Sequence, residues 1–176
     1  MVALAGGPAA AIGRALTALG AGVHELDPAL DEDGARDWAA GIAPVHALVF
    51  DATATFADGG QAFLGAALEA AWVAIRGVAT GALIPAEAGK LLLIAPCPAG
   101  GSFAGAARAA LENLARTLSV EWARYGVTAV AIAPGARSTD DELAELVCYL
   151  VSEAGEYFTG CLFELGSGGH QLIQTS

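Results

Sequence analysis

Residues 102–126 have the sequence SFAGAARAALENLARTLSVEWARYG, the longest helical pattern in the chain. Large apolar side chains recur in it at intervals of three and four residues, on one helical face: Leu111, Leu114, Leu118 and Trp122. Gly126 ends the pattern, and an apolar run of seven residues, Val127 to Ala133, follows it directly. A long helix that leads straight into a buried strand is typical of a domain in which helices and strands alternate.

The same alternation extends over the rest of the chain. The sequence predicts strands at residues 2–5, 23–26, 46–50, 91–94, 127–133 and 161–165. It predicts helices that end at Leu19, Gly41, Leu83, Gly126 and Ser152, the last capped by Thr139 or Asp140 with Glu142 in its first turn. Continuous apolar strands separated by helices indicate a mostly parallel sheet covered on both faces. We therefore expect one doubly wound, Rossmann-like α/β domain over residues 1–176.

The composition is apolar and acidic. Hydrophobic residues make up 55% of the chain, charged residues only 15%, and the net charge is −11. An acidic protein repels phosphates, so we expect no nucleic acid partner. Glycine, proline or a charge interrupts each apolar run, so we also expect no membrane span. The surplus of apolar residues predicts buried interfaces with other subunits, although an alanine-rich core explains it nearly as well.

Cysteines and histidines do not predict a metal site. Cys97, Cys148 and Cys161 lack metal-ligand spacing and are expected to be small buried hydrophobic residues in a reducing, cytoplasmic compartment. His24, His46 and His170 are widely scattered. The first residues, MVALAGG, have neither the basic region nor the long apolar core of a signal peptide.

Two segments resemble the short-chain dehydrogenase/reductase family. Residues 107–135, ARAALENLARTLSVEWARYGVTAVAIAPG, are similar to the catalytic helix of that family and to the strand and Pro-Gly turn after it. Residues 141–169, DELAELVCYLVSEAGEYFTGCLFELGSGG, are similar to its last helix and last strand. The resemblance implies a Rossmann-like fold and descent from NAD- or NADP-dependent oxidoreductases.

The nucleotide-binding motifs of the family are degenerate here. The glycine-rich turn keeps Gly7 and Gly13, but the middle glycine is Ala11, and Pro8 removes a backbone N–H. That glycine lets backbone N–H groups approach a pyrophosphate at the helix N-terminus. The Asn-Asn-Ala-Gly signature appears as residues 50–53, Phe-Asp-Ala-Thr. We therefore expect no bound cofactor. Asp27 lies at a strand end where the resemblance implies an acidic partner for a ribose, but the sequence favours a plain exposed turn aspartate there.

The catalytic residues that the resemblance implies are also replaced. The family positions of the asparagine, serine, tyrosine and lysine correspond to Ala74, Pro96, Ala104 and Arg108. The lysine normally favours the phenolate of the tyrosine, which acts as the acid and base. Alanine and proline side chains cannot transfer a proton, and a guanidinium is always protonated. We therefore expect no catalytic residues at these positions.

Two deletions accompany these replacements. Residues 13–50 are too few for the two strands and two helices that intervene in the family, so one strand–helix unit is expected to be missing. Only four residues separate Gly135 from Asp140 at the start of the last helix, which leaves no room for a substrate lid. The chain is thus a truncated and degenerate relative.

The segments that match best are those through which family members form tetramers. The predicted interface residues are Leu68, Trp72, Ile75, Leu111, Leu114, Leu118, Trp122, Leu146, Leu150, Leu162 and Phe163. The sequence therefore favours a catalytically silent subunit that joins an active homologue, in a heterotetramer in which the partner holds NAD or NADP. One candidate for the active homologue is a hydroxyacyl-CoA dehydrogenase of aromatic degradation.

Two alternatives remain open from the sequence. The first is an autonomous oxidoreductase that uses Arg108, Asp51 or His46 in place of the usual catalytic groups. The second is a homo-oligomer that senses a ligand or acts as a scaffold. Nucleotide binding would favour the first alternative, and a stable homo-oligomer without an enzyme partner would favour the second.

Overall fold

The computed structural model describes residues 1–7, 9–53 and 61–166, and Pro8 and His170 lie outside these ranges. The strands are β1 (Val2–Gly6), β2 (Val23–Glu25), β3 (Ala47–Asp51), β4 (Gly89–Ile94), β5 (Val127–Pro134) and β6 (Leu162–Leu165). The helices are α1 (Ala10–Ala18), α2 (Glu32–Gly41), α3 (Gln61–Val78), α4 (Ala104–Glu121) and α5 (Asp140–Val151). A π-helical turn, Ala79–Leu83, continues α3. Every predicted helix and strand is present, with ends that differ by a few residues.

The six strands form one parallel sheet in the order β2-β1-β3-β4-β5-β6. The chain moves outward from β1 to β2 and then crosses back to β3 on the other side of β1, so the order reverses between β1 and β3. One strand, β2, and one helix, α2, separate α1 from β3, which confirms the loss of a strand–helix unit. Ligands of open α/β sheets bind at such a reversal, beyond the carboxyl ends of the strands.

Two hydrophobic cores cover the two faces of the sheet. Helices α2, α3 and α4 pack on one face, and α1 and α5 pack on the other. Successive strand residues alternate between the cores: Leu91 and Leu93 of β4 face α3 and α4, whereas Leu92 and Ile94 face α1 and α5. Burial on both faces explains why these strands are continuous apolar runs.

Helix α3 approaches α2 closely through two glycines. A Cβ atom on Gly77 would lie 2.5 Å from the Cβ of Ala35, and one on Gly81 would lie 2.2 Å from the carbonyl oxygen of Arg36. The bond from the Ile84 N–H to the Ala79 carbonyl widens the helix at Gly81 into a π-turn. Glycine is therefore required here by packing between helices, a requirement that the sequence analysis missed.

One described segment, Leu64–Leu83, is long and apolar enough to cross a membrane by its composition. It comprises most of α3 and the π-turn, and 44% of it is buried inside the protein. It contacts α2 and the sheet, as a core helix of an α/β domain does.

The predicted interface requires correction. Four of its residues are buried in the chain's own cores and present no side chain to a partner: Ile75, Leu111, Leu118 and Leu150. The apolar face of α4, to which the predicted interface residues Leu111 and Leu118 belong, packs on β4 and β5. Trp72 is 37% exposed, and the remaining predicted residues are partly buried against the cores: Leu68, Leu114, Trp122, Leu146, Leu162 and Phe163.

The cysteines differ from their predicted burial. Cys161 is exposed, whereas Cys97 and Cys148 are partly buried. Burial, together with the neighbouring Glu145 carboxylate, raises the pKa of the Cys148 thiol. The prediction of three buried cysteines is therefore wrong for Cys161, which immediately precedes the edge strand β6.

Candidate functional site

A cleft of about 430 Å³ lies beyond the carboxyl ends of β3, β4 and β5. The first turns of α1 and α5 form its walls. Asp51 at the end of β3, Pro134 at the end of β5 and Cys97, three residues after β4, line it as well. The topology therefore places this cleft where open α/β sheets bind ligands.

The turn after β1 is shaped by contact with β3. Gly6 has a φ of 92°, and a Cβ atom on it would lie 2.2 Å from the carbonyl oxygen of Asp51. The N–H of Gly7 donates to that same carbonyl at 2.7 Å. At Gly13 a Cβ would meet Leu4 at an ordinary 3.5 Å. Of Gly6 and Gly13, Gly6 is the one that has no room for a side chain, and it serves the packing of two strands.

The N-terminus of α5 is closed by its own side chains. The Thr139 hydroxyl accepts from the Glu142 N–H, and the Glu142 carboxylate accepts from the Thr139 N–H, which forms a capping box. The N–H and hydroxyl donors of Thr139 lower the pKa of Glu142. This confirms Thr139 as the cap. Asp140 and Asp141 add negative charge at this wall of the cleft.

Arg108, which the sequence resemblance aligns with the family's lysine, makes structural hydrogen bonds. One terminal nitrogen, Nη1, donates to the carbonyl oxygens of Pro96 and Pro134, both at 2.8 Å. Pro134 ends β5, and Pro96 follows β4 by two residues. The guanidinium therefore joins the ends of the two central strands to α4.

The other three replaced positions are apolar and enclosed. Ala104 begins α4 and is 1% exposed, and Pro96 is buried. Ala74 is 8% exposed and lines a different cleft, on the other face of the sheet. The structure thus joins Pro96 and Arg108 by a hydrogen bond and provides no proton-transferring side chain at Ala74, Pro96 or Ala104.

Two of the groups proposed for an autonomous oxidoreductase, His46 and Asp51, lie at opposite ends of β3. His46 precedes β3 and its Nδ1 lies 2.7 Å from the N-terminal nitrogen of Met1. Asp51 ends the same strand, so about 16 Å of backbone separates the two residues. Asp51 is 4% exposed, and its Oδ1 accepts from the N–H and the hydroxyl of Thr53. His46 and Asp51 therefore cannot share one active site.

The Pro-Gly turn after β5 is held to β6 instead of opening into a lid. The Ser138 hydroxyl accepts from the Gly135 N–H at 2.9 Å and donates to the Leu165 carbonyl at 2.8 Å. Helix α5 begins at Asp140, which confirms that the substrate lid is missing. Ser138 is a functional position that the sequence pattern does not reveal by itself, although serine hydroxyls often bond to nearby backbone groups in turns.

A dinucleotide would need a glycine cradle and positive potential at this cleft. The wall instead carries the methyl group of Ala11 and the carboxylates of Asp51 and Asp140, with Arg14 as one exposed cation. These residues do not fit a pyrophosphate. Among the described residues, no group of three or more His, Cys, Asp or Glu is placed to hold a metal ion.

Solved structures with this architecture identify the fold. An oxidoreductase of the short-chain dehydrogenase/reductase family from Burkholderia thailandensis superposes with a TM-score of 0.71 and 23% identity, over 93% of this chain and 90% of that one. The fold is that of the short-chain dehydrogenases/reductases. The citronellol catabolism dehydrogenase AtuB of Pseudomonas aeruginosa is a second dehydrogenase with this fold, with a TM-score of 0.67, 22% identity and coverage of 93% and 81%.

The similarity to known proteins covers less of this chain in sequence than in structure. Protein FixR of Bradyrhizobium diazoefficiens is 30% identical over an aligned length of 95 residues. The alignment covers 42% of this chain and 34% of FixR. The matched part is thus about a third of FixR. No family model matches the sequence. The chain thus shares the short-chain dehydrogenase/reductase fold at low sequence identity.

Proposed function

We propose that this chain is a truncated, degenerate member of the short-chain dehydrogenase/reductase family that acts as a catalytically silent, cytoplasmic subunit. The observation that carries the proposal is the bonding of Arg108. Its Nη1 is committed to the Pro96 and Pro134 carbonyls, one helical turn after a buried alanine at the tyrosine position. Neither residue can donate and recover a proton at a substrate oxygen.

We further propose that the chain binds an active homologue, as part of a heterotetramer, and stabilises it. Residues on the outer faces of α3 and α4 support this: Trp72 is 37% exposed and Val120 is 74% exposed. Large exposed hydrophobic side chains on two long helices suit a surface that a second subunit covers. NAD or NADP is then held by the partner, and a hydroxyacyl-CoA dehydrogenase is one candidate.

Co-expression with a full-length homologue from the same genome tests the partnership. We expect the two chains to co-elute on size-exclusion chromatography, with a mass by light scattering that exceeds either chain alone. Val120→Arg is expected to abolish co-elution, because it places a charge within a buried interface. Leu19→Arg is the matched control, since Leu19 is 73% exposed but lies beyond the end of α1. Equal elution of both variants with the homologue would contradict the proposed surface.

Calorimetry tests the absence of a cofactor. We expect titration of the isolated chain with NADH or NADPH to give no binding stronger than about 1 mM, which corresponds to about −4 kcal/mol. The physical reason is the cleft wall, where Ala11, Asp51 and Asp140 oppose a pyrophosphate. An intact homologue serves as the positive control. A dissociation constant in the micromolar range would favour the alternative that the chain is an autonomous oxidoreductase.

The cleft also supports a second candidate, a ligand sensor or scaffold. Its volume of about 430 Å³ is within the range of small-molecule sites. A homo-oligomer that stays intact when the homologue is added in excess would favour this function over the heteromeric subunit.

A further inference from the structure

A second cleft, which we call the acidic groove, lies on the opposite face of the sheet. It has a volume of about 400 Å³ and runs between the connection after β2 and the outer side of α3. Its floor is apolar and includes Ala5, Leu26, Phe50, Val73 and Ala74. The missing strand–helix unit leaves β2 at the edge of the sheet, next to this groove.

The rim of the acidic groove is negatively charged. Asp27 and Asp31 stand on the loop side, and Glu69 of α3 faces them from the other side. The described residues that line the groove include no lysine, arginine or histidine. The negative potential of the rim is thus not neutralised by the groove's own described residues.

Neighbouring cations of α2 and α3 are engaged elsewhere. Arg36 pairs with Asp33 at 2.8 Å and with Asp37 at 3.3 Å, and Arg76 pairs with Glu32 at 3.2 Å. These pairs leave the rim carboxylates available for a partner's positive charge.

The rim carboxylates on the loop are already positioned by the backbone. Asp27 Oδ1 accepts from the Ala29 N–H, and Asp31 Oδ1 accepts from the Gly34 N–H, both at 2.9 Å. Each carboxylate keeps a second oxygen as an acceptor. Because the loop side chains are held before binding, less conformational entropy is lost when a partner docks.

We propose that the acidic groove binds a polypeptide segment of a partner protein in which an apolar side chain lies between two cationic ones. The apolar side chain is removed from water on the floor, and the cations pair with Asp27, Asp31 and Glu69 across the rim. Arginine suits these positions better than lysine, because its planar guanidinium matches a carboxylate through two parallel bonds. This proposal does not depend on which protein is the partner, nor on the surface that contains Val120.

Fluorescence polarisation with a labelled peptide, acetyl-Gly-Arg-Leu-Arg-Gly-amide, tests the groove. We expect saturable binding to the full chain that weakens as salt is added. The double variant Asp27→Asn and Glu69→Gln should weaken binding by about three- to tenfold, as the loss of two exposed ion pairs does. Both changes preserve shape, and the amide oxygen of an asparagine can still accept from the Ala29 N–H.

The matched control carries the same change of net charge far from the groove. Glu121→Gln and Glu145→Gln alter two exposed carboxylates of α4 and α5 and should leave the affinity unchanged. A peptide with glutamate in place of arginine should not bind. Equal weakening by both double variants would show diffuse charge attraction and overturn the proposal, as would the absence of binding at millimolar peptide. Equally tight binding of benzyltrimethylammonium would overturn the assignment to a polypeptide.

Discussion

Arg108→Ala is expected to lower the free energy of unfolding by about 2–4 kcal/mol. Arg108 Nη1 donates two hydrogen bonds of 2.8 Å to the Pro96 and Pro134 carbonyls, and both prolines are buried. Hydrogen bonds from a charged donor stabilise a fold more than neutral ones, and acceptors that lose their donor inside a protein are costly. Urea denaturation, followed by circular dichroism, measures the change.

The control for this variant lies two turns further along α4. Arg116→Ala removes an exposed ion pair with Glu112, 2.6 Å long, and should cost no more than about 0.5 kcal/mol. Hydrogen exchange adds a local readout, since Arg108→Ala should increase exchange most at the carboxyl ends of β4 and β5. If the two arginine variants were equally stable, Arg108 would not hold these strands, and the main support for a silent site would be lost.

Gly81→Ala is expected to destabilise the protein by about 3 kcal/mol. The new Cβ atom would lie 2.2 Å from the Arg36 carbonyl oxygen and 3.0 Å from the Arg36 carbonyl carbon, so the π-turn and α2 must separate. A backbone atom cannot turn away as the end of a flexible side chain can. This penalty exceeds the gain of about 1 kcal/mol that alanine brings over glycine in a helix. Thermal unfolding of the purified variant measures it.

Gly65→Ala, in helix α3 itself, is expected to stabilise the protein, whereas Gly81→Ala is expected to destabilise it. A Cβ atom at Gly65 has no neighbour within 4 Å among the described residues, so the substitution should stabilise the protein by up to about 1 kcal/mol. A stabilising effect at both glycines would show that α2 and α3 are further apart than described. Together the pair separates the packing requirement from helix propensity, because both substitutions change the same chemical group.

Ala104 and Arg108, which the resemblance aligns with the family's tyrosine and lysine, contribute to packing and to hydrogen bonds within the fold. Substituting Ala104 by tyrosine would force a large side chain into a position that is 1% exposed, and replacing Arg108 would remove the bonds to two strands. Ala104 and Arg108 therefore belong to the packed scaffold, so substitutions at these two positions are expected to cost stability.

The order of helices and strands could be predicted from the sequence because apolar periodicity is a local property. Leu91 to Ile94 could only be a buried strand, and Thr139 with Glu142 already specified a helix N-terminus. The missing strand–helix unit and the missing lid were predicted by comparing the lengths of two segments with those of the family that the sequence resembles. Residues 102–126 were likewise recognised as a helix, and α4 occupies most of that range.

Only the tertiary structure decided which surfaces are free and what the polar residues bind. Periodicity placed Leu111 and Leu118 on one helical face, but whether a sheet or a partner covers that face depends on where the chain folds back, and β4 and β5 cover it. The bonds of Arg108 and the contact of Gly81 with Arg36 join residues that are 12 to 45 positions apart. A local pattern contains no information about such distances, because they arise only when separate elements are packed together.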